Sequence, residues 1–241
     1  MNTPATLAEA LAQVLSEDLP LRDRLDAYAR ELRRLEPAVA VAYDALVARL
    51  QANDVGRDAP NLGDVMPPFL MPDQDGHLVA LEELLDSGPL VVSFNRGHWC
   101  PFCRIELDAL ARSADRIGEL GARIVTIIPE RSAFAAIARQ RGVTFPILSD
   151  IDLGYALSLG LVFWIGDSVI EQMKRFDRSL PEYQGNDGWC LPIPATFVVG
   201  RDGRVKARLV DPDFRSGRLE IATITEALEK ECERRPENVA S

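Results

Sequence analysis

The sequence has few cysteines, few histidines and no long apolar run. Its 241 residues include four cysteines and two histidines, too few for the disulfide framework of a small secreted domain. No apolar stretch approaches the roughly 20 residues that span a bilayer. The first residues also lack the basic segment that opens a secretory signal. These features predict a cytoplasmic protein with no membrane partner.

Positive charge is scarce as well. The chain has 27 Lys and Arg residues against 37 Asp and Glu residues, which gives a net charge of −10. An acidic surface repels the phosphates of nucleic acids and anionic lipids, so neither is an expected partner. The sequence has no phosphate-binding loop, dinucleotide fingerprint or Ser-His-Asp order. We therefore expect no bound cofactor.

Residues 1–55 are expected to be helical. Apolar residues recur at helical spacing from Leu7 to Leu15 and from Leu21 to Leu35, and the pattern restarts after Pro37. This periodicity predicts a helical extension of two or three amphipathic helices. The extension is expected to bury its apolar stripe on its own domain or on a second subunit, so a homodimer is one expected assembly. Glycines and prolines between residues 54 and 67 mark a boundary, and they place the main domain at 58–234.

Strands and helices alternate in the main domain. Apolar runs at 89–95 and 122–129 are predicted to be buried strands, separated by one long helix that ends near Leu120. Such alternation predicts an α/β fold with parallel strands. Asp75-Gly76 and Asp202-Gly203 each predict a hairpin turn. Residues 161–191 are predicted to be an irregular insertion.

The segment Arg96-Gly97-His98-Trp99-Cys100-Pro101-Phe102-Cys103 is the most informative part of the sequence. A Cys-x-x-Cys pair between a strand and a helix is typical of a redox dithiol. Cys100 falls at the helix N-terminus, where unpaired N–H groups favour a thiolate and lower the thiol pKa. Cys103 shares the apolar helix face with Leu107 and Leu110. We therefore expect Cys103 to be buried and Cys100 to face solvent.

Two alternatives remain for this segment on sequence grounds. The cysteines could pack simply as small hydrophobic residues. Alternatively, His98, Cys100, Cys103 and Cys190 could bind zinc, although the spacing of a typical zinc site is missing. We favour a redox site with no metal. Cys190 is also a candidate for an alternative resolving thiol, because it lies four residues before Pro194.

The segment Pro194-Ala195-Thr196 precedes a further apolar strand. Proline cannot donate to a central strand ladder, so its place needs a geometric reason, such as a cis Ile193–Pro194 bond. With Trp99-Cys100-Pro101-Phe102-Cys103 after the first buried strand, this segment resembles the thioredoxin-like fold, a central mixed sheet flanked by helices. The resemblance implies that Pro194 packs against the dithiol turn.

Other segments resemble the alkyl hydroperoxide reductase/thiol-specific antioxidant (AhpC/TSA) branch of that superfamily, the peroxiredoxin-like proteins. They are Gly63–Phe69, Leu81–Leu84, Phe145–Asp150 and Thr196–Val199. The resemblance implies a peroxidase whose Cys100 thiolate reduces hydrogen peroxide or an organic hydroperoxide and then forms a disulfide with Cys103. It also implies that thioredoxin or a similar dithiol reductant supplies the electrons.

The sequence departs from the family motif Pro-x-x-x-Thr-x-x-Cys. Ser93 stands at the proline position and Gly97 at the threonine position, and Arg96 is the nearest substitute for the family's arginine. Two other hypotheses therefore stay open: a thioredoxin-like protein disulfide oxidoreductase, and a non-catalytic redox-sensing module that uses residues 1–55. Trp99 is expected to shield the disulfide or to contact a partner.

Overall fold

Three helices begin the chain in the computed structural model, which describes residues 3–233. They are α1 (Leu7–Ser16), α2 (Leu21–Leu35) and α3 (Pro37–Ala52). Pro37 ends α2 and occupies the first turn of α3, where its missing N–H costs nothing. The helical extension predicted from periodicity is therefore present, with three helices.

The rest of the described chain alternates short strands with helices. The strands are β1 (Leu70–Pro72), β2 (Leu78–Ala80), β3 (Leu90–Phe94), β4 (Arg123–Ile128), β5 (Ile147–Ser149), β6 (Val162–Trp164), β7 (Cys190–Pro192), β8 (Ala195–Val199) and β9 (Val205–Val210). The helices are α4 (Leu81–Ser87), α5 (Pro101–Arg112), α6 (Ala114–Glu119), α7 (Ser132–Gln140), α8 (Gly154–Ser158), α9 (Asp167–Arg175), α10 (Leu180–Gln184) and α11 (Ile221–Glu233). A 3-10 turn covers Ile151–Leu153.

A five-stranded mixed sheet forms the centre of the domain, in the order β5-β4-β3-β8-β9. Strands β3, β4 and β5 are parallel, whereas β8 and β9 are antiparallel to their neighbours. Successive side chains of β3 point to opposite faces of the sheet. Val91 joins one hydrophobic cluster with Leu110 of α5 and Ile224 of α11, whereas Val92 joins a second cluster on the other face. The predicted mixed sheet flanked by helices is confirmed.

The N-terminal helices pack on this domain. Tyr28 of α2 and Tyr43 of α3 belong to the same hydrophobic cluster as Val92. The ring of Tyr28 meets Phe102 edge to face at 5.2 Å, and Tyr43 meets Phe214 in the same way at 4.9 Å. The extension therefore buries its apolar stripe on its own chain. The division into 1–55 and 58–234 stays a prediction, and residue 234 lies outside the described residues.

Two segments differ from the sequence prediction. The helix after the cysteines is not continuous to Leu120, because the backbone at Ser113 leaves the helical region between α5 and α6. Leu110 and Ile117 still pack into one cluster, so the apolar spacing gave no sign of the break. Residues 161–191 are not irregular: β6 and β7 pair as antiparallel strands around α9 and α10. Strands of three residues are too short to show an alternating pattern.

Among residues 3–233, no helix is long and apolar enough to cross a membrane.

Candidate active site

Cys100 lies where the loop after β3 enters α5. It is the N-cap residue of that helix, with extended backbone angles, and Pro101 occupies the first helical position. The sulfur of Cys100 accepts a hydrogen bond from the backbone N–H of Cys103 at 3.4 Å. An N-cap acceptor of this kind satisfies one of the helix's unpaired donors. The predicted position of the dithiol at the helix start is confirmed.

The predicted exposure of Cys100 is wrong. Both Cys100 and Cys103 are completely buried, and both are free thiols. Trp99 is also buried, and Tyr28 of α2 packs against Phe102, which lies between the two cysteines in sequence. Spacing along α5 could not show this, because Tyr28 belongs to a helix that lies about 70 residues earlier in the sequence. Trp99 is buried next to Arg96, and its expected role as a shield of the disulfide or as a partner contact stays a prediction.

Arg96 supplies the positive charge next to Cys100. Its guanidinium Nη2 donates to the Cys100 sulfur at 3.1 Å, and the residue is 2% exposed. The guanidinium carbon lies 3.6 Å from the ring centre of Phe214 and 5.4 Å from that of Trp99. These aromatic faces hold the cation in place by cation–π attraction.

The pKa of Cys100 is held well below the ordinary thiol value. Burial opposes the thiolate, but hydrogen bonds from Cys103 and the charge and hydrogen bond of Arg96 outweigh that cost. Burial raises the pKa of Cys103 well above the ordinary value, and the hydrogen bond and negative charge of Cys100 raise it further. These directions favour the thiolate form of Cys100 and the protonated form of Cys103. A dithiol of this kind can react through one sulfur while the other stays protonated.

A buried carboxylate explains the serine at motif position 93. Glu106 is 2% exposed, and its Oε1 accepts from the hydroxyls of Ser93 and Thr196, both at 3.0 Å. Arg218 donates from Nε to the other carboxylate oxygen at 2.5 Å. A proline at position 93 would remove one donor from a charge that has no access to water.

Neither Glu106 nor Arg218 is among the site residues that the sequence predicts. Glu106 follows Cys103 by three residues, on the side of α5 that the apolar spacing assigns to the core. A charged residue on such a face was the available signal, since buried charges are rare unless they are paired. Nothing in the local sequence marks Arg218, which comes from the loop between β9 and α11.

Ser93→Ala is expected to destabilise the protein by about 1.5–3 kcal/mol, because a hydrogen bond from a buried hydroxyl to a charged acceptor is lost. Urea unfolding measures the change in the free energy of unfolding. Ser158→Ala is the matched control, since the Ser158 hydroxyl is exposed and donates to the Tyr155 carbonyl. Equal effects of the two substitutions would contradict a structural role for Ser93.

A second buried carboxylate explains the glycine at motif position 97. Gly97 has φ +130°, and a Cβ at this position would lie 2.5 Å from Glu130 Oε1. Glu130, two residues after the end of β4, is completely buried and accepts from the backbone N–H of His98 at 2.8 Å. The ring nitrogen Nδ1 of His98 lies 2.9 Å from the same carboxylate. Arg141 also donates to the His98 carbonyl at 2.9 Å. Both backbone groups of His98, in the loop before Cys100, are therefore hydrogen-bonded to the side chains of Glu130 and Arg141.

Pro194 does not have the predicted cis bond, because residues 3–233 contain no cis peptide bond. The preceding residue, Ile193, donates its N–H to the Leu161 carbonyl at 2.8 Å. This bond continues the pairing of β7 with β6, so the chain enters Pro194 already extended and needs no sharp turn. Ala195 pairs with Phe94, which places Pro194 at the same end of the sheet as the Cys100 loop.

Cys190 is the first residue of β7. Within the described residues, no hydrogen bond or disulfide joins it to Cys100 or Cys103. Its side chain is half-buried, and burial raises its pKa. Across residues 3–233, no group of three or more His, Cys, Asp and Glu side chains is arranged to hold a metal ion.

Solved structures with a similar fold include peroxidoxin BcpB from Mycobacterium tuberculosis and AhpC from Enterococcus faecalis. The first is 25% identical, covers 73% of this chain and 99% of its own, and superposes with a TM-score of 0.53. The second is 14% identical, with coverages of 76% and 99% and a TM-score of 0.55. At that identity it shows likeness of fold alone. No curated protein sequence matches significantly.

The AhpC/TSA family model matches residues 62–208. The matched segment includes Arg96, Cys100, Cys103 and Glu106. It excludes Tyr28 and Arg218, so the extension and the second arginine lie outside what the family model describes. Because the match spans more than half of the sequence and the fold agrees with solved members, the chain belongs to the AhpC/TSA family.

Proposed function

We propose that the protein is a peroxiredoxin-type peroxidase in which Cys100 is the nucleophile and Cys103 the resolving thiol. The observation that carries the proposal is the 3.1 Å contact between the Arg96 guanidinium and the Cys100 sulfur inside the protein. Together with the hydrogen bonds from Cys103, this contact lowers the pKa of Cys100 and favours its thiolate, and it places a cation where the negative charge of a peroxide oxygen develops.

The proposed formation of the disulfide takes two steps, an oxidation by the peroxide and a condensation. The Cys100 thiolate attacks one oxygen of a hydroperoxide, the O–O bond breaks, and the leaving alkoxide or hydroxide takes up a proton. Cys100 becomes a sulfenic acid. The sulfur of Cys103 then attacks the Cys100 sulfur, and the thiol proton of Cys103 leaves with the sulfenic hydroxyl as water. The product is a Cys100–Cys103 disulfide, which a dithiol such as thioredoxin reduces.

The burial of Cys100 favours a small hydroperoxide over a protein disulfide as the oxidising substrate. A peroxide molecule needs only a narrow path to the sulfur, whereas a disulfide in a folded protein needs an exposed partner. Reduction requires the site to open. Oxidation itself favours opening, because it removes the negative charge that pairs with buried Arg96 and leaves that cation uncompensated.

Stopped-flow mixing of the reduced protein with hydrogen peroxide or an alkyl hydroperoxide tests the proposal, with intrinsic tryptophan fluorescence as the signal and Cys100→Ser as the control. We expect oxidation far faster than that of a free thiol, and only when Cys100 is present. Slow oxidation by peroxides together with efficient reduction of protein disulfides would favour the disulfide oxidoreductase. If both reactions are slow, the redox-sensing module is the better explanation.

Cys103→Ser is expected to leave the first oxidation step in place and to stop the second. Sulfenic acid on Cys100 should then accumulate and be trapped by dimedone, which peptide mass spectrometry detects. Cys190→Ser is the matched control and should still form the Cys100–Cys103 disulfide. Loss of the disulfide in Cys190→Ser, with normal resolution in Cys103→Ser, would assign the resolving role to Cys190.

A further inference from the structure

A second buried arginine lies against the second sulfur of the dithiol. Arg218 is 5% exposed, and its Nη2 lies 3.8 Å from the Cys103 sulfur. Its Nη1 donates to the Gly217 carbonyl at 2.9 Å, and Nε donates to Glu106. The Cys103 sulfur also accepts from the backbone N–H of Arg96 at 3.3 Å. Two donors thus converge on a sulfur that carries a proton in the resting enzyme.

We propose that Arg218 stabilises negative charge on the Cys103 sulfur while this sulfur attacks or leaves, as Arg96 does for Cys100. Glu106 is the positioning residue that holds the guanidinium of Arg218 in place. The inference rests on the proposed function, in which Cys103 is the resolving thiol. Each sulfur then has its own arginine: Arg96, on the loop before α5, serves Cys100, and Arg218, in the segment before α11, serves Cys103.

The two steps that use Cys103 both place charge on its sulfur. In the oxidative step the S–H bond of Cys103 breaks as its sulfur bonds to Cys100, and the proton leaves with the sulfenic hydroxyl as water. In the reductive step a thiolate of the dithiol reductant attacks the Cys100 sulfur, and Cys103 leaves as a thiolate that later takes up a proton. The second thiol of the reductant then releases Cys100 as a thiolate. A nearby guanidinium lowers the cost of each charged sulfur.

Glu106 fits a positioning role because of its own partners. Ser93, Thr196 and Arg218 together satisfy both of its oxygens, so the carboxylate is held in one position. Arg218 in turn cannot turn away from Cys103 without leaving Glu106 as an unpaired buried charge. The ion pair therefore keeps the cation at the sulfur.

The charged and titratable groups that face Cys103 are Cys100, Arg96 and Arg218, with Glu106 behind Arg218. Burial and the Cys100 sulfur raise the pKa of Cys103, whereas Arg218 and Arg96 lower it. Loss of Arg218 should therefore raise the pKa of Cys103, so that the resolving step needs a higher pH to reach the same rate.

Stopped-flow oxidation of Arg218→Met separates the two steps. We expect the second, resolving phase to slow by about tenfold at neutral pH, the factor that one pKa unit represents, and its pH profile to move upward. The first phase should change much less. Glu106→Gln/Arg218→Met removes both buried charges and should show the same selective loss, which covers the case in which Arg218→Met fails to fold. Arg218→Lys should retain part of the rate.

Arg208→Met is the matched control, because Arg208 is a half-buried arginine of β9 that donates to the carbonyls of Ala59 and Pro60. Equal slowing of both phases in the Arg218 variants, or an unshifted pH profile of the resolving phase, would overturn the proposal. So would the same selective loss in Arg208→Met.

A direct titration makes the test independent of peroxidase activity. In Cys100→Ser/Cys190→Ser/Cys232→Ser, Cys103 is the only thiol, and its thiolate can be followed by ultraviolet absorbance against pH. We expect Arg218→Met in this background to move the titration to higher pH, and Arg208→Met to leave it in place. If wild type fails to react with peroxide but the titration moves, the proposed function fails and the assignment of Arg218 to Cys103 stands. An unmoved titration would overturn the assignment.

Discussion

Arg96→Met is expected to lower the rate of reaction with hydrogen peroxide at neutral pH by about 10- to 100-fold. The substitution removes the 3.1 Å hydrogen bond and the positive charge at the Cys100 sulfur. Hydrogen bonds to charged groups contribute about 1.5–3 kcal/mol, and each 1.4 kcal/mol is about a factor of ten in rate. Methionine keeps an unbranched apolar side chain against Phe214 and Trp99, so much of the packing is retained.

The loss of rate in Arg96→Met is expected to depend on pH. The thiolate is the reactive form, and Arg96 holds the pKa of Cys100 low, so wild type should keep its rate as the pH falls to neutral and below. In Arg96→Met the pKa of Cys100 rises, and the rate lost at neutral pH should be partly regained at alkaline pH. Stopped-flow rates against pH, with iodoacetamide alkylation as a second readout, measure both.

Arg96→Lys serves as the charge-conserving control. Lysine keeps the positive charge but lacks the planar guanidinium that stacks on Phe214, so we expect an intermediate rate. The structural alternative is that Arg96 only fills space. In that case Arg96→Met would react normally at neutral pH and Arg96→Lys would be the more damaged variant, which would contradict our assignment.

The sequence was sufficient to predict the central sheet and the position of the dithiol. Local patterns determine both: β3 is a nearly continuous apolar run in which only Ser93 is polar, and Pro101 and Cys100 mark the start of α5. The cover over Cys100 could not be predicted, because Tyr28 and Phe214 come from segments that lie far from the dithiol in sequence. An apolar helix stripe shows that something is buried, but it does not show on what.

The departures from the family motif could be recognised in the sequence but not explained from it. The serine at position 93 is explained by its hydrogen bond to buried Glu106, which the sequence does not show. The cis bond expected before Pro194 is wrong for a related reason, since the hydrogen bond from Ile193 to Leu161 extends the pairing of two strands that are too short to recognise in the sequence. In each case a long-range partner decides the conformation, and one sequence without its fold does not reveal that partner.

Restoring the family threonine at position 97 is expected to damage the protein. Gly97 has φ +130°, a region that a β-branched residue very rarely adopts. A Cβ would also lie 2.5 Å from Oε1 and 2.6 Å from the carboxylate carbon of Glu130, which is buried and held by His98. Backbone strain of about 1–3 kcal/mol and overpacking of about 1–3 kcal/mol act together. We therefore expect Gly97→Thr to lower the free energy of unfolding by about 3 kcal/mol or more.

The same substitution should also slow peroxide reduction, because the displaced loop carries both Arg96 and Cys100. Gly142→Thr is the matched control: Gly142 also has positive φ, +95°, but a Cβ there meets nothing within 4 Å. Gly142→Thr should lower the free energy of unfolding only by the backbone strain, about 1–2 kcal/mol. It should leave the rate of reaction with peroxide near that of wild type. Urea unfolding and stopped-flow oxidation measure the two effects. If Gly97→Thr were as stable as Gly142→Thr and reacted faster than wild type, the threonine hydroxyl would be what this site lacks, and Glu130 would not be the reason for the glycine.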